Sequence, residues 1–267
     1  MATATERTAE TVELLQALIR NACVNDGTPE SGQEVRNADL LATYLEGTGL
    51  DLQRYEPTPG RTSLVARIEG SDPAAPSLCL MGHTDVVPVN PDGWSRDPFD
   101  GEVVDGEVWG RGAVDMLNLT ASQAVAFRSL ADSGFRPTGD LILFAVADEE
   151  SGSAHGARWM ADHEADAIRA DYVLTENGGL HSGSAEAPAI SVNVAEKGAS
   201  WRRLTVRGTP GHGSMPYRTD NALVKAAAVV QRLADYRPPA RFHELWRGQV
   251  DAMALDEELR EQLLDTD

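Results

Sequence analysis

The chain has 267 residues and a formal net charge of −19, from 42 acidic and 23 basic side chains. This charge argues against nucleic acid or an anionic membrane as a partner, because long-range repulsion opposes their approach. A hydrophobic content of 42% is enough to bury the core of one large domain or two small ones. Two cysteines are too few for a disulfide framework and no run is long and apolar enough to cross a bilayer, so we predict a cytoplasmic protein.

Helical and strand patterns alternate in the first part of the chain. Apolar residues recur at helical spacing in 10–24 and again in 33–46. Short β-like runs follow at 50–55 and 63–68, and a further apolar run, 78–81, predicts a buried strand. This succession favours an α/β fold in which helices cover a sheet.

The end of the strand at 78–81 carries the first candidate metal ligand. His83 follows it at the carboxyl end, where open α/β sheets expose their chemistry. Asp85 lies two residues further, so in an extended chain it shares a face with His83 and can accept the second N–H of the imidazole. A capped turn after a strand is the alternative that this pair alone leaves open.

Two glycine-rich stretches resemble nucleotide-binding loops only in part. Gly110 and Gly112 begin like a dinucleotide-binding loop, but Asp115 replaces the third glycine and would repel a pyrophosphate. The stretch 208–213 has phosphate-loop spacing without the lysine that should follow it. We therefore interpret Asp115 as a metal ligand that precedes a helix over 116–130.

Two more strands end in carboxylates. The apolar run 141–147 predicts a buried strand, and it is followed by Asp148, Glu149 and Glu150. Because successive residues point to opposite sides, one glutamate can bind metal while the other faces substrate water. A solvated acidic turn is the alternative. The run beginning at residue 171 is a similar strand that ends at Glu176.

Separate elements thus bring one imidazole and three carboxylates toward one rim of the sheet: His83, Asp115, Glu150 and Glu176. Nitrogen and oxygen ligands of this kind suit zinc, cobalt or manganese. The remaining histidines have no patterned partner and are interpreted as surface or structural residues: His155, His163, His181 and His243.

The pattern changes after residue 189. Two β-like runs, 190–195 and 200–206, precede a predicted helix over 221–234, and helical segments continue to residue 264. We expect this part to form a second domain.

Four motifs in this order resemble the di-zinc amidohydrolase and peptidase family that includes acetylornithine deacetylase, succinyl-diaminopimelate desuccinylase, aminoacylase and glutamate-releasing zinc carboxypeptidases. They are GHTD at 82–85, WGRGAVDM at 109–116, ADEESG at 147–152, and GHGSMP at 211–216 with Asn221 and Ala222. The resemblance covers most of the chain.

The resemblance implies a role for each site residue. By similarity, His83 and Glu176 bind one zinc ion, Glu150 binds the other, and Asp115 bridges them. Glu149 would be the general base and Asp85 would steady His83. His212 would stabilise the oxyanion, reaching into a neighbouring subunit where family members are dimers.

The carboxylates of this set support two divalent cations as cofactors. Five in one pocket would repel one another unless cations neutralised them: Asp85, Asp115, Glu149, Glu150 and Glu176. Two such ions can activate water for direct attack on the amide of a small peptide or N-acyl amino acid.

The resemblance also implies the architecture. We expect a mixed, mostly parallel sheet sandwiched by helices, of the zinc exopeptidase type, with an inserted and incomplete α+β lid or dimerisation domain. We place the metal-binding catalytic domain at residues 1–192 and the partial lid, through which a homodimer would form, at residues 193–267.

One ligand of the family pattern is missing. The family's last metal ligand is a histidine near the end of a longer chain, and none of the six histidines here has a matching context. We therefore expect this sequence to be an N-terminal piece with little or no activity alone. A non-catalytic remnant that binds metal or a partner is the alternative, for which Glu149→Ala should change nothing measurable.

Overall fold

The computed structural model describes residues 3–177, 179, 181–183, 188–190, 192–193, 198, 202–215, 217–239, 241–253 and 255–265. The chain divides into two compact units, Met1–Asn177 and Gly178–Asp267. The assignment of residues 1–192 to a catalytic domain and of residues 193–267 to a lid stays a prediction. Among the described residues, no helix is long and apolar enough to span a membrane.

A five-stranded sheet forms the centre of the first unit. Its strands are β1 (Leu52–Tyr55), β2 (Ser63–Ile68), β3 (Leu78–His83), β6 (Leu141–Val146) and β7 (Tyr172–Leu174), in the order β1-β2-β6-β3-β7. Only β2 runs against the other four, so the sheet is mixed and mostly parallel, as predicted. A two-stranded hairpin of β4 (Val103–Val104) and β5 (Glu107–Val108) lies between β3 and β6 in the chain.

Helices cover both faces of this sheet. They are α1 (Ala4–Arg20), α2 (Val35–Leu45), α3 (Leu117–Asp132), α4 (Ala157–His163) and α5 (Ala165–Ile168). One core packs α1, α2 and α3 against side chains such as Leu64 and Leu143. The other packs Met160 of α4 against Ile142 and Phe144. Strand β6 is buried along its whole length because alternate side chains enter the two cores.

The described residues of the second unit form three helices and a short hairpin. The helices are α6 (Ala222–Asp235), α7 (Glu244–Ala252) and α8 (Glu257–Leu264), and the hairpin pairs β8 (His181–Gly183) with β9 (Pro188–Ile190). Asn221 caps α6 through a 2.9 Å bond from the Leu223 amide to its side chain. The predicted helices of this region are therefore confirmed.

The predicted strands after residue 189 have a different outcome. Residues 202–206 are described and form no strand, so that part of the prediction is wrong. An alternating sequence becomes a strand only where a neighbour pairs with it, and no described segment pairs with 202–206. Half of the other run, 190–195, lies outside the described residues, namely 191, 194 and 195.

Candidate metal centre

The carboxyl end of β3 places His83 in the interior of the first unit. The imidazole is 1% exposed. Behind it, Thr120 of α3 donates a 2.8 Å hydrogen bond to the His83 carbonyl, which ties the helix to the end of the strand. Gly82 makes this approach possible, because a Cβ there would lie 2.5 Å from the Thr120 hydroxyl oxygen.

Two carboxylates converge on the outward-facing nitrogen of His83. Asp115 Oδ1 lies 3.1 Å from His83 Nε2 and Glu176 Oε2 lies 3.6 Å from the same atom. One ligand atom from each of the three residues falls within 4.8 Å of the others. The structure thus brings together three of the four predicted ligands, although 32 residues separate His83 from Asp115 in the chain.

Asp115 reaches this point from the loop before α3. Met116 is the N-cap of the helix, and the Asp115–Met116 peptide bond is cis. Gly112 has a φ of +87° and packs against Leu117, where a Cβ would lie 2.6 Å from the leucine side chain. Gly112 therefore allows the backbone to pass close to Leu117 in a conformation that other residues rarely adopt, beside the Asp115 carboxylate, in agreement with the interpretation from sequence.

The Asp85 side chain differs in one detail from the prediction. The backbone carbonyl oxygen of Asp85 lies 2.9 Å from His83 Nδ1, whereas its carboxylate Oδ1 lies 3.6 Å away. The carbonyl takes this place because β3 ends at His83, so the two residues no longer share the face of an extended strand. Asp85 thus meets the imidazole mainly through its main chain.

The Asp85 carboxylate instead holds the turn after β6. It accepts a 3.2 Å bond from the Glu149 amide and a 3.1 Å bond from the Glu150 amide. Asp85 is fully buried, so these bonds satisfy a charge that has no access to water. The turn that carries both glutamates is therefore anchored to the residue beside the β3 histidine.

The two glutamates of this turn differ in their surroundings. Glu149 is exposed over 44% of its side chain, and its Oε2 lies 3.9 Å from His83 Nε2. Glu150 is partly buried, and its Oε1 has no hydrogen-bond partner. The structure thus separates a glutamate that faces solvent from one with an unsatisfied oxygen, while their predicted roles as base and metal ligand stay predictions.

The carboxylates strongly perturb one another. Burial, together with the negative charge of Asp115, raises the pKa of Glu150 to about 7 although His83 opposes it. Burial likewise raises the pKa of Glu176. For His83, burial lowers the pKa, but the surrounding carboxylates, Asp85 most strongly, outweigh it and raise the pKa. The centre therefore carries an excess of negative charge.

These features fit a divalent cation. An imidazole nitrogen and two carboxylate oxygens converge within 4.8 Å, and the unpartnered Glu150 oxygen is a further donor of the same type. Such ligands suit zinc and its neighbours. A cation would also offset the neighbouring negative charges that, after burial, contribute to the raised pKa of Glu150 and of Glu176.

His212 belongs to the second unit. It is exposed, and its Nδ1 lies 2.7 Å from the Ser214 hydroxyl oxygen. Its predicted contact with the reacting carbonyl stays a prediction. Of the histidines without a predicted role, His155 has its Nδ1 3.1 Å from Thr58 Oγ1 and His163 stacks on Trp159 at 4.9 Å, as expected for structural residues.

The sequence did not reveal a buried polar network behind the turn. It consists of Asn25, Glu34, Arg61 and Asp148, each no more than 2% exposed. Asn25 and Arg61 lie outside the predicted helices and strands, and Glu34 is a charged residue at the start of the helix predicted at 33–46, so no local pattern distinguished them from surface residues.

Solved structures share this fold. An M20 family metallo-carboxypeptidase of Sulfolobus solfataricus superposes with a TM-score of 0.66 at 21% identity, over 98% of this chain and 60% of the other. Human carnosine dipeptidase 1 gives a TM-score of 0.56 at 19% identity, over 95% and 58%. The predicted fold, a mostly parallel sheet flanked by helices, is therefore confirmed, whereas the inserted lid domain stays a prediction.

Sequence relatives agree with the structural ones. Pig aminoacylase-1 is 36% identical over 211 residues, which cover 78% of this chain and 50% of that protein. The succinyl-diaminopimelate desuccinylase of Alkalilimnicola ehrlichii is 32% identical over 244 residues, which cover 88% and 61%. The chain thus spans about half to three fifths of the length of these relatives. The family model described as peptidase family M20/M25/M40 matches residues 79–249, which confirms the resemblance of the motifs, and the chain belongs to this family.

Proposed function

We propose that this chain carries the metal-binding part of a hydrolase site that cleaves a peptide or N-acyl amide bond with water. The observation that supports it best is the convergence of His83, Asp115 and Glu176, with the Glu149 carboxylate 3.9 Å from the same imidazole nitrogen. The names of the relatives, an aminoacylase, a desuccinylase and a metallo-carboxypeptidase, support the same class of reaction.

Each residue has a role in this proposal. His83, Asp115 and Glu176 would hold one cation, and Glu150 together with Asp115 would hold a second; zinc is our first choice, with cobalt or manganese as alternatives. When bound, the cations supply polarisation of the substrate carbonyl and a lowered pKa for the attacking water.

Glu149 moves the proton. Its carboxylate accepts a proton from water as the water oxygen bonds to the carbonyl carbon, and it passes that proton to the nitrogen as the carbon–nitrogen bond breaks. Its exposure leaves room for a substrate, whereas the buried Asp85 orients Glu149 through the backbone. Direct attack by water agrees with the burial of both cysteines, Cys23 and Cys79, which leaves neither accessible as a nucleophile.

The finer assignments belong to the same proposal. They include the second cation, oxyanion stabilisation by His212, a homodimer formed through residues 193–267, and a cytoplasmic location. The substrate class is a small peptide or an N-acyl amino acid, by analogy with the relatives.

Metal titration combined with hydrolysis assays tests the function. We expect the 267-residue chain to bind zinc or cobalt in calorimetry, and to release amino acid from N-acyl amino acids or dipeptides only slowly, because the family's last histidine ligand is missing from this sequence. Glu149→Gln should reduce turnover about 10²- to 10⁴-fold, the usual contribution of a general base, with cation affinity nearly unchanged. Glu46→Gln, at an exposed residue after α2, is the matched control.

Two outcomes would contradict the proposal. A chain that binds no divalent cation has no metal centre. A chain that binds the cation and whose residual hydrolysis is unchanged by Glu149→Gln is the non-catalytic remnant that the sequence left as the alternative.

A further inference from the structure

Arg61 is a buried arginine just before β2. Its side chain is 2% exposed. Its Nε lies 2.8 Å from Glu34 Oε2, and its Nη2 lies 2.9 Å from Glu34 Oε1 and 2.7 Å from Asp148 Oδ1. The Arg61 guanidinium thus joins Glu34, which precedes α2, to Asp148, which begins the turn after β6.

Asp148 receives further bonds that fix the start of the turn. Asn25 Nδ2 donates to Asp148 Oδ1 at 3.0 Å, and the His155 amide donates to Asp148 Oδ2 at 2.8 Å. Asp148 also has a φ of +62°, a left-handed conformation that L residues rarely adopt without such support. The backbone therefore changes direction here, and the next two residues are Glu149 and Glu150.

Asn25 connects this network to the metal centre. The same Nδ2 group donates to Asp85 Oδ2 at 2.8 Å, and Asn25 Oδ1 accepts a 2.9 Å bond from the Ser151 hydroxyl. Asn25 therefore binds both ends of the turn, at Asp148 and at Ser151. The Asp85 carboxylate binds its middle, at the backbone amides of Glu149 and Glu150.

Stability alone is a weak reason for this arrangement. Desolvation of a buried guanidinium offsets most of its attraction to carboxylates, and apolar residues of similar volume often stabilise a fold as well or better. What a buried network of ion pairs and hydrogen bonds does provide is a single geometry. The segment that receives this geometry carries the predicted base and a predicted metal ligand.

We propose that Arg61 is a positioning residue of the metal centre, acting through Asp148 and Asn25 on the backbone that presents Glu149 and Glu150. This inference rests on the proposed function for the use of those glutamates. The positioning itself is a property of the turn and is measurable without metal.

The experiment compares two arginines of the same strand pair. Arg61→Met removes the charge at the end of β6, and Arg67→Met removes the partner of Asp140 at its beginning. In the 267-residue chain, amide exchange measured by NMR should be at least about tenfold faster at Glu149 and Glu150 in Arg61→Met, and unchanged there in Arg67→Met. Zinc affinity in calorimetry should fall about 10- to 100-fold in Arg61→Met only.

Conservative variants keep the test decisive if Arg61→Met does not fold. Arg61→Lys retains the charge, and Asn25→Ala retains the ion pairs but removes the link to Asp85; both should show the same faster exchange to a smaller extent, with more affinity retained by Arg61→Lys. Folded variants with wild-type exchange at Glu149 and Glu150 would overturn the positioning role. A wild-type chain that binds no zinc but responds in exchange as expected would reject the proposed function and leave the positioning intact.

Discussion

The two ends of the β2–β6 strand pair use the same types of residue in opposite ways. At the beginning of β6, Arg67 pairs with Asp140, and both side chains are about one third exposed at 29% and 33%. At its end, Arg61 pairs with Asp148, and both are nearly inaccessible at 2% and 3%. Near that second end lie the His83 imidazole and the carboxylates that converge on it.

The difference shows why chemistry belongs to one end of the sheet. Strands β3, β6 and β7 are parallel, so their carboxyl ends bring His83, the Asp148 turn and Glu176 to one edge. The buried Arg61–Asp148 pair at this end is shielded from water and interacts strongly, whereas the ion pair at the other end is screened by solvent. The comparison can be tested by changing each end in the same way.

The largest expected difference in stability is between the two arginines. Arg61→Met leaves two buried carboxylates without their cation and should reduce the free energy of unfolding by about 3–5 kcal/mol. Arg67→Met breaks a partly exposed pair and should cost less than about 1 kcal/mol. Urea denaturation of both variants measures the difference, and equal costs would show that burial does not distinguish the two ends.

The next effect concerns cation binding. Asp115→Ala removes one of three converging ligands and should weaken zinc binding by about 100-fold or more, since even the loss of a residue behind a metal ligand costs 10- to 100-fold. Asp140→Ala, at the other end, should leave the affinity within about twofold. Calorimetric titration of the two variants decides this, and similar losses would place the cation elsewhere.

Two glycines extend the comparison to backbone packing. A Cβ at Gly156 would lie 1.7 Å from the Ala147 carbonyl oxygen, and one at Gly139 would lie 2.0 Å from the Pro76 carbonyl oxygen. Both Gly156→Ala and Gly139→Ala should therefore cost about 1–3 kcal/mol. Only Gly156→Ala should also lower zinc affinity, because its clash displaces the end of β6. Gly93→Ala is the control, with no other heavy atom within 4 Å of its Cβ.

The smallest expected effect is on the pH dependence of stability, which should have opposite signs for Glu150 and Asp140. Glu150 has a pKa raised from 4.5 to about 7, so the metal-free folded chain holds its proton more tightly and loses stability as pH rises through this range. A backbone hydrogen bond from Gly70 lowers the pKa of Asp140, whose contribution is therefore present above its ordinary value of 3.8 and lost in acid.

Melting curves with a chelator present measure this contrast. At about pH 8, Glu150→Gln should raise the melting temperature by about 2 °C, equivalent to about 1 kcal/mol after allowance for solvent exposure. Asp140→Asn should lower it by a similar or smaller amount. Both changes should fade below the ordinary pKa of each group. A destabilising Glu150→Gln at pH 8 would falsify the excess of negative charge at the carboxyl end.

Local sequence patterns predicted most of the first unit. The run 63–68 forms a strand with the predicted limits, and the strand predicted at 141–147 ends one residue earlier, because continuous apolar residues in short runs are typical of buried strands. The helix predicted at 116–130 begins at Leu117 and ends at Asp132. His83 and Glu176 follow the strands predicted at 78–81 and from residue 171, and Asp115 precedes the helix, so their convergence could be predicted without knowing the sheet order.

What the sequence by itself determined was therefore the set of elements, the family and the residues at the open edge. Only the tertiary structure revealed that the Asp85 carbonyl faces His83 and that Arg61, Glu34 and Asn25 support the turn behind the glutamates. The Arg61–Asp148 bond joins residues 87 positions apart, and the Asn25–Ser151 bond joins residues 126 apart. Such pairs leave no periodic signal, because helix and strand patterns record which face of an element is buried, whereas a buried polar contact depends on which distant residue the fold brings to it.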